Sequence, residues 1–308
     1  MKTMSIVVPC YNEKDSLNAF YDETESILKG MKVEYKYIFV DDGSTDETLL
    51  VIKKLAKNKN VNFISFSRNF GKEGAILAGL KKSDSDYTVL MDADLQHDPN
   101  ILPKMFDLIT NDKYDFVATR RIDRKGENKI ISFFSSLFYK VINRFSDINL
   151  HSGVQDYRIM TNQVTKSVIN MHEYNRFSKG LFNWVGFNGY YIEVENRERI
   201  AGKSSWDFFK LFKYAIDGIT SFTISPLRFA TLMGVITSFA SLVYLIYVLV
   251  KTLVVGEAVP GFPTLIILIL FLSSIQLIAL GIIGEYLSKT YLEVKKRPSY
   301  IIKEESQW

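Results

Sequence analysis

The sequence predicts an α/β fold, a mostly parallel sheet clothed by helices, followed by two membrane-spanning helices near the C-terminal end. Three observations predict it. Strand-like and helix-like stretches alternate through the first half, and polar side chains that packing would not request collect just after strand-like runs. Two long stretches near the end, Phe229–Val250 and Leu265–Ile283, carry no charge.

The elements follow in order. The apolar run Ser5–Val8 reads as a strand and Ser16–Lys29 as a helix. Tyr35–Val40 is the next strand, and the turn Asp41–Asp46 offers Ser, Thr and Asp as helix N-caps for Thr45–Asn58. Val61–Phe66 is a strand, Gly71–Lys81 a helix begun by glycine, and Tyr87–Met91 a strand. A turn signal at Asp98-Pro99 opens another helix, and Asp115–Ala118 reads as a strand. Neither a Gly-x-Gly-x-x-Gly nor a Walker loop is present, which argues against an ordinary dinucleotide or P-loop site.

With 308 residues the chain buries a full core in one large domain and has length for something smaller. A formal charge of +4 makes no case for nucleic acid. The single cysteine, Cys10, excludes an intrachain disulfide, and its apolar setting assigns it to packing. Met4–Pro9 is too short for a secretory signal and runs into polar Tyr11-Asn12-Glu13. His97, His151 and His172 are scattered and suggest no metal role.

Three strand ends carry the candidate site. They are Pro9-Cys10-Tyr11-Asn12-Glu13, Asp41-Asp42-Gly43-Ser44-Thr45-Asp46 and Asp92-Ala93-Asp94-Leu95-Gln96, all expected at the carboxyl edge of one sheet. Tyr11 offers an aromatic face and Asp41 an acceptor, a combination suited to a nucleobase. Asp92 and Asp94 suit a hard divalent cation that also carries substrate phosphates, although Asp-x-Asp equally serves as a helix cap. Arg68 to Ala75 add cations and glycines at a helix start, where anions bind favourably, and Lys72 there reads either as a ligand or as a solvated charge.

Each apolar stretch at the C-terminal end is long enough to cross about 30 Å of hydrocarbon. Lys210, Lys213 and Arg228 precede the first, and Lys289, Lys295, Lys296 and Arg297 follow the second, against only Lys251 in the link. The positive-inside rule puts the α/β part in the cytoplasm. The expected division is a cytoplasmic domain over 1–205, a juxtamembrane amphipathic helix over 206–228, and transmembrane helices over 229–250 and 265–284. A short extracytoplasmic link over 251–264 joins them, and a basic cytoplasmic tail covers 285–308. The aromatic stretch Ile130–Ser146 reads as a core helix or one lying on lipid headgroups, and Trp206–Phe222 as interfacial.

Taken together, the three motifs resemble the signature of family 2 glycosyltransferases with the GT-A fold. The fuller pattern is similar to the bacterial polyprenyl-phosphate glycosyltransferases related to dolichol-phosphate mannose synthase. The resemblance implies that Pro9, Tyr11, Glu13 and Asp41 line a nucleoside pocket, with Asn12, Asp42, Lys72 and Ala93 in the same nucleotide-sugar site. It implies that Asp92, Asp94 and Gln96 handle a divalent metal, Mg²⁺ or Mn²⁺, and the nucleotide diphosphate. Arg120 matches an arginine near the reacting phosphates, Asp156 an acidic residue facing the active site, and Arg199 and Lys203 a basic cluster. Asp94, Asp156 and Arg120 are thereby the catalytic candidates. Two departures stand out: Ser204-Ser205 replaces a pair that carries a second cation in many relatives, and Ser132 replaces an arginine, leaving Lys129 and Ser135 for the acceptor phosphate.

The function this implies is transfer of one hexose, glucose from UDP-glucose, onto undecaprenyl phosphate at the cell membrane, making a lipid-linked donor for the cell envelope. N-acetylglucosamine, galactose and mannose donors would use much the same residue types. A processive polysaccharide synthase and a non-enzymatic nucleotide-sugar-binding partner are the other readings; the first lacks its expected Gln-x-x-Arg-Trp pattern. The expected partners are the nucleotide sugar, the lipid phosphate and the bilayer. A homo-oligomer, a downstream flippase and a membrane glycosyltransferase remain open as further ones.

Overall fold

The structure is a computed structural model in which residues 1–111, 114–121, 143, 144, 153–195, 216, 218–255 and 261–308 are described. The chain divides into two compact units, Met1–Gly218 with Arg297–Trp308, and Ile219–Lys296.

The larger unit is built on an alternation of strands and helices. Strand β1 covers Thr3–Cys10, β2 Glu34–Asp41, β3 Val61–Phe66, β4 Tyr87–Leu90, β5 Phe116–Arg121, β6 Val154–Thr161, β7 Gly189–Val194 and β8 Ile302–Glu305. Helices α1 (Leu17–Lys29), α2 (Thr48–Leu55), α3 (Lys72–Lys82), α4 (Leu102–Asn111), α5 (Asn162–Ile169) and α6 (Ser178–Trp184) intervene, and a short 3₁₀ turn, Pro99–Ile101, leads into α4. The described strands form one sheet in the order β7-β5-β6-β4-β1-β2-β3-β8. β4, β1, β2 and β3 run parallel, whereas β6 lies antiparallel between β4 and β5, and β8 antiparallel on β3.

The central strands are apolar on both faces, as strands covered by helices on two sides must be. Ile6, Val8, Tyr37 and Phe39 face one layer with Leu17, Phe20, Ile52 and Met105 from α1, α2 and α4. Val7, Ile38, Val40 and Leu90 face the other with Ala75, Ile76 and Leu80 of α3 and with Val164 and Val168 of α5. Gly79 lets α3 lie directly on β1, since a Cβ there would sit 2.2 Å from Val7 Cγ1.

The sequence boundaries shift for local reasons. α2 begins at Thr48 rather than Thr45, because the Asp46 carboxylate accepts from the Thr48 N–H. The last residues are more than a basic tail: β8 adds an edge strand to β3.

In the smaller unit, α7 (Ser225–Val255) and α8 (Phe262–Val294) contain windows of mean hydropathy 2.0 and 2.5 with none of either window buried inside the protein. A soluble core helix would be covered. Near their polar ends Tyr286 Oη donates to the Thr223 carbonyl (2.6 Å), and Lys289 Nζ donates to Thr220 Oγ1. The greater parts of Ile130–Ser146 and of Trp206–Phe222 lie outside the described residues.

Candidate active site

Because β4, β1 and β2 are adjacent and parallel, their three carboxyl ends meet at one edge, and the three motifs meet with them. The antiparallel strand β6 begins at that edge. Its pairing of Arg158 with Leu90 brings Asp156 opposite the residues just past the end of β4, where Asp92 lies. β5 ends there too, and a register irregularity between Ala118 and Arg120 interrupts its ladder with β6 just before Arg120.

The loops after β1 and β2 are tied to each other. Asn12, in the left-handed region at φ 57, donates its N–H to Ser44 Oγ (3.0 Å), and its Oδ1 accepts from Thr45 N–H (2.9 Å). Glu13 N–H donates to Thr48 Oγ1 (2.8 Å), and its carboxylate accepts from Ser16 (2.7 Å). Tyr11, 43% exposed, keeps an open ring face at this edge, while Pro9 is buried in the strand.

The two aspartates at the end of β2 differ from their simplest reading. Asp41 is only 1% exposed and already accepts from Ser44 N–H (3.1 Å) and Ser65 Oγ (2.8 Å), so it shapes the turn. Asp42 accepts from the N–H groups of Phe70 (2.7 Å) and Gly71 (2.9 Å), pinning the α3 entrance to β2. Burial nevertheless raises the Asp42 carboxyl above its ordinary value, against those two donors.

Lys72, the first residue of α3, sits at the centre. Its ammonium lies 2.7 Å from Asp92 Oδ1, 2.9 Å from Asp92 Oδ2 and 2.6 Å from Asp156 Oδ2. Burial alone would raise the Asp156 carboxyl, but Lys72, with Lys179 and Arg158 behind it, holds it well below the usual carboxylate range. Burial likewise works against the Lys72 charge, and Asp156 and Asp92 together push it above its ordinary value. Beyond Asp92, Ala93 is buried, Leu95 is held at φ 55, and Asp94 Oδ1 accepts from Gln96 N–H (3.1 Å). Left-handed backbone at a buried leucine is strain held by its surroundings, a feature that collects at functional sites.

Sequence reasoning missed the supports. Arg158 is 2% exposed, stacks over the Phe182 ring at 3.9 Å and donates to the Asp156 and Gln155 carbonyls, fixing the backbone that carries Asp156. Glu73 accepts from the Ser178 N–H and hydroxyl, anchoring α3 to α6. An arginine in a strand with apolar neighbours was the available signal. Lys129, Ser135, Arg199 and Lys203 lie outside the described residues.

The donor set fits a hard divalent ion. Asp92 and Asp94 supply carboxylate oxygens at a strand end, and among the described residues no cluster of three His, Cys, Asp or Glu forms. A metal there would complete its shell from a diphosphate, the usual habit of Mg²⁺.

A mostly parallel sheet with carboxylates, a tyrosine and a lysine gathered at its switch edge is the arrangement in which open α/β folds bind their ligands. The chain belongs to glycosyl transferase family 2, whose model matches residues 5–169, and a second model, the GtrB C-terminal hairpin, matches residues 225–290. A glycosyltransferase of Bacillus subtilis named CsbB is 43% identical over 98% of this chain and 91% of its own length. The bactoprenol glucosyl transferase of Shigella phage SfV is 36% identical over 99% of both chains, and a prophage homolog of that enzyme in Escherichia coli K12 is 36% identical over 97% and 98%. Among solved structures, the mannosyl-3-phosphoglycerate synthase of Rubrobacter xylanophilus superposes with a TM-score of 0.50 at 15% identity, covering 71% of this chain and 72% of its own, which is a likeness of fold.

Proposed function

We propose that this enzyme transfers one glucose from UDP-glucose to the phosphate of a polyprenyl lipid, at the cytoplasmic face of the membrane that its two apolar helices enter. The observation that carries the reading is the union, in one chain, of a strand-end carboxylate site with a hairpin of lipid-compatible helices. It is supported by relatives named bactoprenol glucosyl transferase that match over nearly their whole length.

The chemistry follows from charge. A lipid phosphate is already anionic at neutral pH, so it attacks the anomeric carbon without a strong base, and catalysis reduces to positioning and electrostatics. Tyr11 stacks on the base, and the buried Asp41 turn holds the pocket wall. Asp92 and Asp94 would hold the metal, which when bound offsets charge on the departing nucleotide diphosphate. Arg120, with Arg199, Lys203, Lys129 and Ser135, brings the second anion in. Asp156, kept ionised by Lys72, orients the acceptor side. One displacement inverts the anomeric centre.

The test uses detergent-solubilised full-length protein, undecaprenyl phosphate, Mg²⁺ or Mn²⁺, and UDP-glucose, UDP-N-acetylglucosamine, UDP-galactose or GDP-mannose. Release of nucleotide diphosphate is expected with UDP-glucose alone, only with lipid and metal, and not with Asp94→Ala. Release with another donor reassigns the sugar, and no lipid-dependent release with any donor overturns the reading.

A further inference from the structure

Lys72 addresses both oxygens of Asp92, at 2.7 and 2.9 Å, while its third contact holds Asp156 at 2.6 Å. Those Asp92 oxygens are the hard donors that a divalent cation takes at this strand end. An ammonium so placed satisfies the carboxylate that the metal needs, and it repels a second cation brought within a few ångströms.

We propose that Lys72 is an internal competitor of the metal at Asp92. The lysine keeps the affinity for a bare divalent ion low, so that the ion is captured together with a nucleotide diphosphate, whose oxygens complete the shell and whose negative charge draws Lys72 off Asp92. The inference rests on the glycosyl-transfer reading above.

Three features of the chain support it. Among the described residues, no group of three His, Cys, Asp or Glu is placed to hold a metal, and Asp156, the further carboxylate nearby, is itself held by Lys72, so a bare ion finds few free protein oxygens here. Lys72 stands at the start of α3 with 44% of its side chain exposed, so a phosphate arriving from solvent reaches the side chain that holds Asp92. Its second anchor, Asp156, is retained when Asp92 is surrendered, so Lys72 stays in the site as a cation for the diphosphate. Lys72 is thus a positioning residue for Asp156 and a gate on metal entry.

The test measures Mn²⁺ binding to full-length protein in detergent without nucleotide, by loss of the free-ion electron paramagnetic resonance signal, for the parent, Lys72→Met, Lys72→Gln and Lys72→Arg. Thermal unfolding of each variant shows that it is folded. Removal of the ammonium is expected to tighten binding of Mn²⁺ alone on the order of tenfold, the worth of one charge-assisted hydrogen bond. Lys72→Arg should bind like the parent. Unchanged or weaker Mn²⁺ binding in both neutral variants overturns the proposal, because a lysine that merely props Asp92 in place would give that result. A parallel titration with UDP, in which uptake is the Mn²⁺ bound beyond that held by the same UDP without protein, separates the two levels of inference. Mn²⁺ uptake by the parent with UDP, joined to no gain in the neutral variants, refutes Lys72 as competitor and leaves the metal-dependent reading standing. No uptake by the parent even with UDP refutes both.

Discussion

At the scale of single residues, the site is a set of charges whose balance is testable. The Asp156 carboxyl is depressed on folding, so its contribution to stability is fully present above the unfolded carboxylate pKa of about 3.9 and is lost as pH falls through the folded value. Asp156→Asn should therefore lower stability by about 1–3 kcal/mol near neutrality, the cost of removing one of the two carboxylates that hold Lys72, at a carboxyl whose side chain is 17% exposed. The gap from the parent should hold from neutrality to about pH 4 and narrow only below it, as acid works against the depressed folded value, in thermal unfolding followed down to about pH 2.5. A gap as large there as at neutrality would show that packing, not the ion pair, holds Asp156. A second residue fixes the architecture around it. Gly43 has φ 64, and a Cβ there would lie 2.3 Å from the Arg68 carbonyl carbon. Gly43→Ala should destabilise by about 2 kcal/mol or more, through strain and backbone displacement, and should raise the KM for UDP-glucose. An unaltered KM would mean the two loops move independently. The paired Asp92 and Asp94 were legible from sequence because a strand-like run ends in them. The Lys72 bridge to Asp156 was not, because 84 residues separate the partners. The β4–β6 register sets Asp156 opposite Asp92, and the pinning of the α3 entrance by Asp42 sets Lys72 beside them.

At the scale of elements, hydrophobic pattern revealed β1 to β5 and the helices between them, because strands buried on both faces are nearly continuous apolar runs. β8 was invisible for the opposite reason. Three of its four residues, Lys303, Glu304 and Glu305, are charged, as an edge strand protected from pairing should be, and its partner β3 lies more than 230 residues earlier, a separation that only tertiary structure bridges. Salt bridges Lys53–Glu304 and Lys82–Glu305 and the Ser67 N–H to the Ile301 carbonyl hold it. Tyr300 stacks on Phe66, with centroids 4.9 Å apart, and Phe66 meets Phe70 edge-on. Phe70 in turn donates its N–H to Asp42, so the tail buttresses the loop that enters the site. Tyr300→Ala should cost about 1–3 kcal/mol, from lost ring contact and burial, with a lower melting temperature in detergent and a raised KM for UDP-glucose. A variant with parental melting and KM would reduce the tail to a passive covering.

At the scale of the whole molecule, the decisive fact is connectivity. Residues Met1–Gly218 and Arg297–Trp308 form one compact unit, and the chain between them contains two helices with the length and composition to cross a bilayer. The segment Ser225–Val248 has 24 residues, which at the α-helical rise spans about 36 Å, more than the hydrocarbon core of about 30 Å. A chain that leaves one folded body and returns to it crosses any membrane it spans an even number of times, so the proposed pair of crossings is compatible with both the hydropathy and the sheet. This argument is independent of charge, and the cation bias of the flanks points the same way. In a Cys10→Ser background, Glu257→Cys in the link should react with a membrane-impermeant maleimide on intact spheroplasts, whereas exposed Lys14→Cys should react only after permeabilisation. Labelling of Lys14→Cys in intact spheroplasts would place the catalytic unit outside, where nucleotide sugars made in the cytoplasm do not reach it. Protection of Glu257→Cys until permeabilisation would make the apolar pair an interfacial rather than a spanning structure. The lipid acceptor would then have to be met without a hairpin through the bilayer, and the union of soluble donor site and membrane anchor would lose its physical rationale.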